Sequence, residues 1–342
     1  MRAPAPGVMP LRTCRRFLIE EPSQLGEARR YVATLGASLA LDEVRCGKLS
    51  IIASEMATNI LKHAGKGEIL VRPVVSGDSL GVEMIAIDRG PGIADLERSL
   101  ADGFTTGSTL GQGLGAMKRL SDTFDISSHP GKGTCILSTV CASDSAEDGS
   151  FEFGGVNVPY PGEEMCGDSW AIVEEVGSFS TLVVDGLGHG PSAATAAAEA
   201  VQGFIDGSHL SLDMLLQNLH GRLRSTRGAA IFVCKQAAGS DDLAFAGVGN
   251  IRASLWHEGR TKGLISQNGT AGVQMKPVRP LSEKFPCGAI LVLASDGLSS
   301  RWTLDGYQGL VTRHPSLIGA VLYRDFSRGT DDATVMVVRR TR

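Results

Sequence analysis

The stretch Thr181-Leu-Val-Val-Asp185-Gly-Leu-Gly-His-Gly190 places an aspartate and three glycines directly after a short apolar run. Such a run predicts a buried β-strand that ends in a tight turn, with the Asp185 carboxylate at the end of the strand. An Asp-Gly pair alone is usually an ordinary turn. The stretch is informative because the second half of the chain repeats the arrangement on other strands.

Three further acidic positions in this half adjoin apolar runs. Asp168 stands in CGDSW before a strand, Asp296 follows AILVLAS, and Asp331 with Asp332 precedes ATVMVV. Carboxylates at the ends of adjacent strands can converge, and with few histidines nearby they favour Mg²⁺ or Mn²⁺ over zinc. Two such ions can share a water, lower its pKa and hold the oxygens of a phosphoester. The pattern therefore predicts metal-dependent hydrolysis without a protein nucleophile.

Length and composition describe a two-domain globular protein. The chain has 342 residues, 42% hydrophobic and 20% charged, with a net charge of −4. The absence of a basic stripe argues against a nucleic-acid partner, and no apolar run is long enough for a membrane span. Residues 1–10 lack the apolar core of a secretory signal, so we interpret them as a disordered lead-in and expect a cytoplasmic protein. The seven cysteines have no paired spacing, which predicts buried reduced thiols.

The acidic, small-residue stretch CASDSAEDGS at 141–150 predicts a linker. We therefore predict domains over 12–141 and 151–342, with residues 142–150 between them. The first half shows mixed helix and strand signals, including an edge strand at 16–20 and helices at 22–39, 42–64 and 113–122. In the second half, short apolar runs are interrupted by two helical stretches near 191–204 and 212–224. This pattern predicts a layered α+β architecture.

Three patches in the first half carry chemical side chains or glycines. Glu55 and Asn59 lie four residues apart on a predicted helix face, where they could polarise a nucleophile and hold Mg²⁺. The run 88–92, Asp-Arg-Gly-Pro-Gly, follows an apolar strand, and the run 111–115, Gly-Gln-Gly-Leu-Gly, leads into a helix. Glycines before a helix expose backbone N–H groups that can cradle phosphate. Each patch alone is compatible with an ordinary helix face or turn.

In their order and spacing the three patches resemble the GHKL (Bergerat-type) ATP-binding fold, an α/β sandwich, over about residues 12–141. The resemblance is closest to the RsbT-type serine kinases of partner-switching stress modules, through HAGKGEI, ADGFTTG and GLGAMKRLSDTF. It implies ATP and Mg²⁺ as cofactors, with Asn59 on the metal and Glu55 as base or orienting group for a substrate serine. It also implies that residues 103–115 form a lid over the phosphates. The implied nucleotide-binding residues are Asn59, Lys62, Asp88, Gly90, Gly92, Gly111, Gly113, Leu114, Gly115 and Thr134.

The second half resembles the PPM-type serine/threonine phosphatases of the SpoIIE branch, an αββα sandwich, and within that branch the RsbX phosphatases. The matching stretches are CGDS, VVDGLGHG, RGAAIFV, GVGNIRASLW, ASDGL and RGTDDATVMVV. The resemblance implies two Mn²⁺ or Mg²⁺ ions and makes Asp185 and Asp296 catalytic. Asp185 would bridge both ions, and the Gly186 carbonyl and, through water, Asp168 would serve the second ion. Asp296 and Asp331 would hold the first.

Two residues near this set have open roles. Asp332 stands where the wider family often has Asn, so we expect it to support the metal ligands without being one. His189 could act as the general acid for the leaving serine, or it could be an ordinary loop-surface residue.

The two resemblances together predict a regulator that phosphorylates and dephosphorylates a serine or threonine of STAS-domain partner proteins. A sigma-factor regulator or a downstream phosphatase would be a further partner. One alternative is a phosphatase whose first domain only senses nucleotide or docks a partner. Another is a non-catalytic protein that sequesters a sigma factor or its antagonist. Intact Glu55 and Asn59 favour a kinase, and the intact carboxylates argue against a non-catalytic protein.

Overall fold

The computed structural model describes residues 8–10, 13–77, 79–96, 113–143 and 149–342. The chain divides into two compact units. One contains Cys14–Glu147, and the other combines Met1–Thr13 with Asp148–Arg342. We call them the kinase-like unit and the phosphatase-like unit, after the resemblances above. None of the described helices is both long and apolar enough to cross a membrane.

Strands and helices are numbered along the chain. The described strands are β1 (Val8–Pro10), β2 (Arg15–Ile19), β3 (Gly67–Ser76), β4 (Ser79–Asp88), β5 (Thr123–His129), β6 (Gly133–Cys141), β7 (Phe151–Val158), β8 (Asp168–Glu175), β9 (Ser178–Gly186), β10 (Ala229–Gln236), β11 (Asp242–Val248), β12 (Arg252–His257), β13 (Arg260–Leu264), β14 (Leu281–Lys284), β15 (Ile290–Ala294) and β16 (Ala333–Arg340). The described helices are α1 (Pro22–Ser38), α2 (Glu43–Asn59), α3 (Gly113–Leu120), α4 (Pro191–Asp206), α5 (Leu212–Leu223) and α6 (Pro315–Phe326).

The kinase-like unit is one antiparallel sheet in the order β2-β3-β4-β6-β5, and β2 forms its predicted edge. Helices α1 and α2 cover one face, where Val32, Ile52 and Met56 pack with Ile69 and Met84 of the strands. The sequence predicts both helix starts, and both are confirmed. Pro22 opens α1 behind a capping box, and the Asp42 side chain accepts a hydrogen bond from the Arg45 backbone N–H at 2.7 Å.

Helix α2 changes its winding at the predicted Mg²⁺ residue. The regular helix ends at Asn59, and residues Ile60–Ala64 continue as one π-helical turn that stops at Gly65, whose φ is 76°. The end of the predicted helix at Ala64 is confirmed, but its last turn is π-helical where the prediction is a regular helix. Such π turns are rare in proteins and are frequently found at functional sites.

The phosphatase-like unit has two antiparallel sheets, in the orders β1-β8-β9-β10-β11-β14 and β13-β12-β15-β16-β7. Large apolar side chains fill the space between them, among them Trp170, Phe232 and Phe245 from the first sheet and Leu291 and Met336 from the second. Helices α4 and α5 cover the outer face of the first sheet, and α6 packs on β7 and β16 of the second. The predicted αββα sandwich is confirmed.

Three expectations differ from the structure. Residues Val8–Pro10 are not part of a disordered lead-in but pair with β8 as β1. Helix α6 was not predicted. The cysteines are all free thiols, yet Cys287 is exposed and Cys46 only half-buried, so the expectation of buried thiols holds for the other five.

Candidate functional sites

The end of α2 and the start of α3 meet in the kinase-like unit. Glu55 and Asn59 lie one turn apart near the end of α2, both partly buried. A Cβ placed on Gly113, the first residue of α3, would stand 2.7 Å from Oε2 of Glu55 and 3.7 Å from the amide group of Asn59. The backbone at the start of α3 therefore approaches both side chains directly, and glycine permits that approach.

Asp88 is the last residue of β4, and only one of its carboxylate oxygens accepts hydrogen bonds from the described residues. Its Oδ1 accepts hydrogen bonds from the backbone N–H groups of Gly90 at 2.8 Å and Thr134 at 3.2 Å. Among the described residues no donor reaches Oδ2. The hydroxyls of Thr134 and Ser128 are 2.9 Å apart, and the Ser128 hydroxyl also accepts the Ile93 N–H at 2.8 Å. Asp88 is thus oriented with one oxygen available to a ligand.

Two glycines near Asp88 are required by close backbone contacts. A Cβ on Gly90 would meet the Ala64 side chain at 2.8 Å, and one on Gly92, whose φ is 74°, would meet the His129 carbonyl oxygen at 2.2 Å. Gly90 therefore packs against the π-helical turn that follows Asn59. The π-helical turn that follows α2 and the loop after Asp88 are therefore in direct contact.

His63 lies in that turn and is half-exposed. Partial burial and the adjacent Lys62 lower the pKa of His63, while Asp88 opposes the shift. The His63 imidazole is therefore within electrostatic reach of both the Lys62 ammonium and the Asp88 carboxylate. Sequence analysis named Lys62 but missed His63 and Ser128, whose residue types are unremarkable without their three-dimensional neighbours.

The remaining predicted nucleotide residues divide into two groups. Gly113, Leu114 and Gly115 form the first turn of α3, where Gly115 is buried and Leu114 packs against the core. Gly111, and the predicted lid up to residue 112, lie outside the described residues.

In the phosphatase-like unit the predicted carboxylates lie at one end of the two sheets. Asp168 begins β8 and is the direct cross-strand partner of Asp185 near the end of β9. Asp296 follows β15, and Asp331 precedes β16. Because Ala294 of β15 pairs with Val335 of β16, these two aspartates leave the second sheet at the same end.

Strand alternation turns the first pair inward. Side chains along a strand point alternately to its two faces. Trp170 of β8 and Val183 of β9 belong to the core between the sheets, and Asp168 and Asp185 are each two residues away on the same faces. The two carboxylates therefore lie at the margin of the inter-sheet core.

Charge repulsion and burial strongly disfavour ionisation of this group. Burial, with repulsion from Asp168, Asp296 and Asp331, raises the pKa of Asp185 to about 9. Burial raises the pKa of Asp168 to about 8, although the Ser295 and Thr334 hydroxyls act in the opposite direction. Burial also raises the pKa of Asp296, even though Asn250 donates a hydrogen bond to it at 2.7 Å.

These features fit a divalent cation. Oδ2 of Asp168 is buried without a hydrogen-bond partner, which is costly unless a cation or a proton satisfies it. In the described parts of the chain, no three Asp, Glu, His or Cys side chains stand close enough together to hold a metal ion without moving. A proton or a cation must neutralise part of this charge, because neighbouring buried carboxylates cannot all ionise together. Oxygen-only donors select a hard cation.

Asp332 and three glycines support the site. The Asp332 carboxylate accepts the backbone N–H groups of Tyr160 at 2.8 Å and Gly167 at 3.0 Å, which fixes both ends of the loop before Asp168. A Cβ on Gly186 would lie 2.4 Å from the Ala193 carbonyl oxygen, and one on Gly297 would lie 1.8 Å from that of Asp332. The backbones on either side of the carboxylates therefore approach as closely as glycine allows.

His189 is occupied by the loop before Asp168. Its ring stacks on Tyr160 with centroids 4.3 Å apart, and Nδ1 lies 3.2 Å from Oε1 of Glu163. The residue remains exposed. Sequence analysis named His189 but could not identify Tyr160 and Glu163, which are distant in sequence.

Two family models match the chain in sequence. "Histidine kinase-like ATPase domain" matches residues 18–139, and "Stage II sporulation protein E (SpoIIE)" matches residues 175–341. The serine/threonine-protein kinase RsbT of Bacillus subtilis (strain 168) is 36% identical over 122 residues, which are 36% of this chain and 90% of RsbT.

Solved structures resemble the chain in fold. One, described as "The bacterial stressosome: a modular system that has been adapted to control secondary messenger signaling", has a TM-score of 0.51 and 25% identity. The match covers 55% of this chain and 99% of the chain in that structure. The PP2C phosphatase domain of Bacillus subtilis SpoIIE, with a fragment of its regulatory domain, has a TM-score of 0.50 and 16% identity. This match covers 93% of this chain and 94% of the chain in that structure. The latter likeness concerns the fold alone.

Proposed function

This chain belongs to the family of histidine kinase-like ATPases that includes RsbT and carries a SpoIIE-type phosphatase domain after that region, and on this premise we propose that it is a bifunctional partner-switching enzyme. Its phosphatase-like unit removes phosphate from serine or threonine of STAS-domain antagonist or scaffold proteins. Its kinase-like unit phosphorylates proteins of the same circuit. A sigma-factor regulator or a downstream phosphatase would respond to the phosphorylation state.

The observation that carries the phosphatase proposal is the group of repelling, buried carboxylates at one end of the two sheets. Asp185 would contact both cations, Asp296 and Asp331 the first, and Asp168 with the Gly186 carbonyl the second. When bound, two Mn²⁺ or Mg²⁺ ions supply an acidified water and positive charge at the phosphoester. Asp332 holds the loop that carries Asp168, and Asn250 orients Asp296 through its hydrogen bond.

The kinase proposal is supported by the contact between Gly113 and the pair Glu55 and Asn59. Asp88, held by Gly90 and Thr134, would bind the adenine amine of ATP, and Asn59 would hold Mg²⁺. Glu55 would accept the proton of the substrate serine hydroxyl. Phosphoryl transfer depends mainly on positioning and charge neutralisation, and the close approach of α3 to Glu55 and Asn59 supports the positioning that transfer requires.

A direct test of the phosphatase half measures phosphate release from a phosphoserine STAS-domain protein with Mn²⁺ or Mg²⁺, with and without EDTA. We expect hydrolysis that requires the metal and is lost in Asp185→Asn. Asp305→Asn, which changes an exposed aspartate, is the matched control. Hydrolysis that persists in EDTA, or that is unaffected in Asp185→Asn, would contradict the two-metal site.

A further inference from the structure

The loop that follows Asp185 is tied to the segment that precedes β10. The Leu187 backbone N–H donates to the Gly228 carbonyl oxygen at 3.0 Å. Leu187 is nevertheless 44% exposed, although it is large and apolar and lies only two residues from Asp185. An apolar side chain is therefore held at the edge of the carboxylate group without being used in the core.

A cationic side chain adjoins that loop. Arg227 is exposed, and its Nη1 lies 3.2 Å from the position that a Cβ on Gly188 would take. Among the described residues no carboxylate forms an ion pair with Arg227, despite the acidic site close by. Its guanidinium thus remains able to bind an acidic group from another molecule.

A second exposed apolar side chain completes the patch. Val273 is 65% exposed, and its Cγ2 lies 2.8 Å from the Cβ position of Gly228. Its loop is fixed to the start of β10, because Ala229 and Ala271 exchange backbone hydrogen bonds at 3.0 and 2.9 Å. Leu187, Arg227 and Val273 therefore stand on three backbone segments that are bonded to one another, and we call them the rim surface.

We propose that the rim surface binds the polypeptide that flanks the phosphorylated residue of the substrate, through an acidic side chain on Arg227 and an apolar side chain on Leu187 and Val273. The inference rests on the proposed phosphatase function, because a phosphoester that reaches Asp185 brings its flanking residues to this edge. Charge complementarity identifies the occupant: a lone guanidinium pairs with a carboxylate, and the apolar neighbours exclude water from that contact.

The test uses three substrates with the full chain and Mn²⁺. Two are phosphoserine peptides that differ only in their flanking residues, Glu and Leu in one and Lys and Ser in the other, and the third is p-nitrophenyl phosphate. We expect wild-type kcat/KM to favour the Glu/Leu peptide by about fivefold, the upper end of what an exposed ion pair contributes. Arg227→Glu should reverse the charge preference and Arg227→Lys should retain most of it. Leu187→Ser and Val273→Ser should weaken only the preference for Leu.

The two control residues lie at hairpin turns, at the ends of the strands that are opposite to the carboxylates. Arg260→Glu alters an exposed arginine at the β12–β13 turn, and Val176→Ser alters a fully exposed valine at the β8–β9 turn. Both should leave the peptide preference unchanged.

The outcomes separate this proposal from the function on which it rests. Unchanged hydrolysis of p-nitrophenyl phosphate by Arg227→Glu, together with a reversed peptide preference, supports a docking role. Equal losses on all three substrates would show that Arg227 acts on the phosphate or the carboxylates, which overturns the docking proposal. So would equal hydrolysis of the two peptides by the wild type. A wild type without metal-dependent hydrolysis of any substrate would instead refute the phosphatase function itself.

Discussion

At the scale of single residues, Asp168 and Asp185 carry the main electrostatic cost of the phosphatase-like unit. They are direct cross-strand partners at the margin of a dry core, and burial raises the pKa of each. Like charges placed opposite one another destabilise a sheet unless a counter-charge is present. The fold therefore maintains two carboxylates whose ionisation is unfavourable unless a positive charge lies beside them.

We predict that Asp185→Asn separates stability from activity. Asn has a similar shape and no charge, so at pH 8 in EDTA the melting temperature should rise, by about 2–4 °C for each kcal/mol gained. Metal-dependent hydrolysis should fall by at least about 100-fold, a loss typical of removing one group from an electrostatic site. Differential scanning fluorimetry and a phosphate-release assay measure the two effects. A lower melting temperature in EDTA would contradict the assigned repulsion.

The pH dependence of the metal-free protein follows from the same shifts. With a folded pKa of about 8 for Asp168 and about 9 for Asp185, the folded state retains protons that the unfolded state has already released above about pH 4. The stabilising contribution is complete below about pH 4, falls progressively as the pH rises from there, and is fully lost above about pH 9. Melting temperatures in EDTA should therefore decline across this range, and Mn²⁺ should reduce the decline. A melting temperature that rises steadily up to pH 9 in EDTA would count against this assignment.

Sequence reasoning could identify these aspartates because each adjoins an apolar run with turn residues beside it. It could not recognise that Asp332 binds the two ends of the loop before Asp168, or that Tyr160 and Glu163 hold His189. Those contacts join residues far apart in the chain, and no local pattern encodes them. The metal and nucleotide roles of the named residues remain predictions.

At the scale of elements, the start of α3 lies against Glu55 and Asn59 near the end of α2, within the candidate kinase site. Gly113→Ala should be a mild change for folding, because the only close neighbour of the new Cβ is the flexible end of Glu55, and the Asn59 amide lies at an ordinary contact distance. It should reduce phosphoryl transfer on the order of 10- to 100-fold, since displacing a catalytic group by about 1 Å has effects of that size. Transfer of label from γ-labelled ATP to protein measures the loss.

Gly47→Ala is the control for that substitution. Gly47 lies within α2 with open space around its Cβ position, so alanine there should stabilise the unit by about 0.5–1 kcal/mol and leave transfer unchanged. If both variants transfer phosphate as the wild type does, the contact between Gly113 and Glu55 has no part in catalysis.

Helix α6 shows where pattern reasoning fails at this scale. Every residue from Pro315 to Arg324 is buried, so the segment has no polar face and no helical periodicity to detect. The α1 and α2 boundaries were predictable because a proline and a capping aspartate mark them. The π-helical turn after Asn59 was not, since no residue type in Ile60–Ala64 marks a change of winding.

At the scale of the molecule, the first residues of the chain belong with its last domain. Strand β1 pairs with β8, the strand that begins at Asp168, although the whole kinase-like unit separates them in sequence. A three-residue strand containing Pro10 has too little pattern to be recognised without its partner. The strand and helix signals of the sequence predict a layered α+β architecture, and the GHKL-type and αββα folds follow from the motifs that resemble those families.

Two compact units predict two separately adjustable thermal transitions. A non-hydrolysable ATP analogue with Mg²⁺ should raise the temperature of one transition, and Mn²⁺ alone should raise that of the other. At a ligand concentration of 100 times Kd, each ligand should increase the free energy of unfolding of its unit by about 2.7 kcal/mol. Asp185→Asn should remove the Mn²⁺ response and Asn59→Ala the nucleotide response. Scanning calorimetry of the full chain measures both. A single transition that responds to both ligands equally would show that the units unfold together.

The central claim, that one chain both adds and removes phosphate, is tested by label transfer from γ-labelled ATP to a STAS-domain substrate. Three forms are compared: wild type, Asp296→Ala, and Asp296→Ala combined with Glu55→Ala. We predict that label accumulates with Asp296→Ala, turns over in the wild type when Mn²⁺ is added, and is absent in the double variant. Failure of Asp296→Ala to label any STAS-domain substrate, or equal labelling by the double variant, would contradict the account.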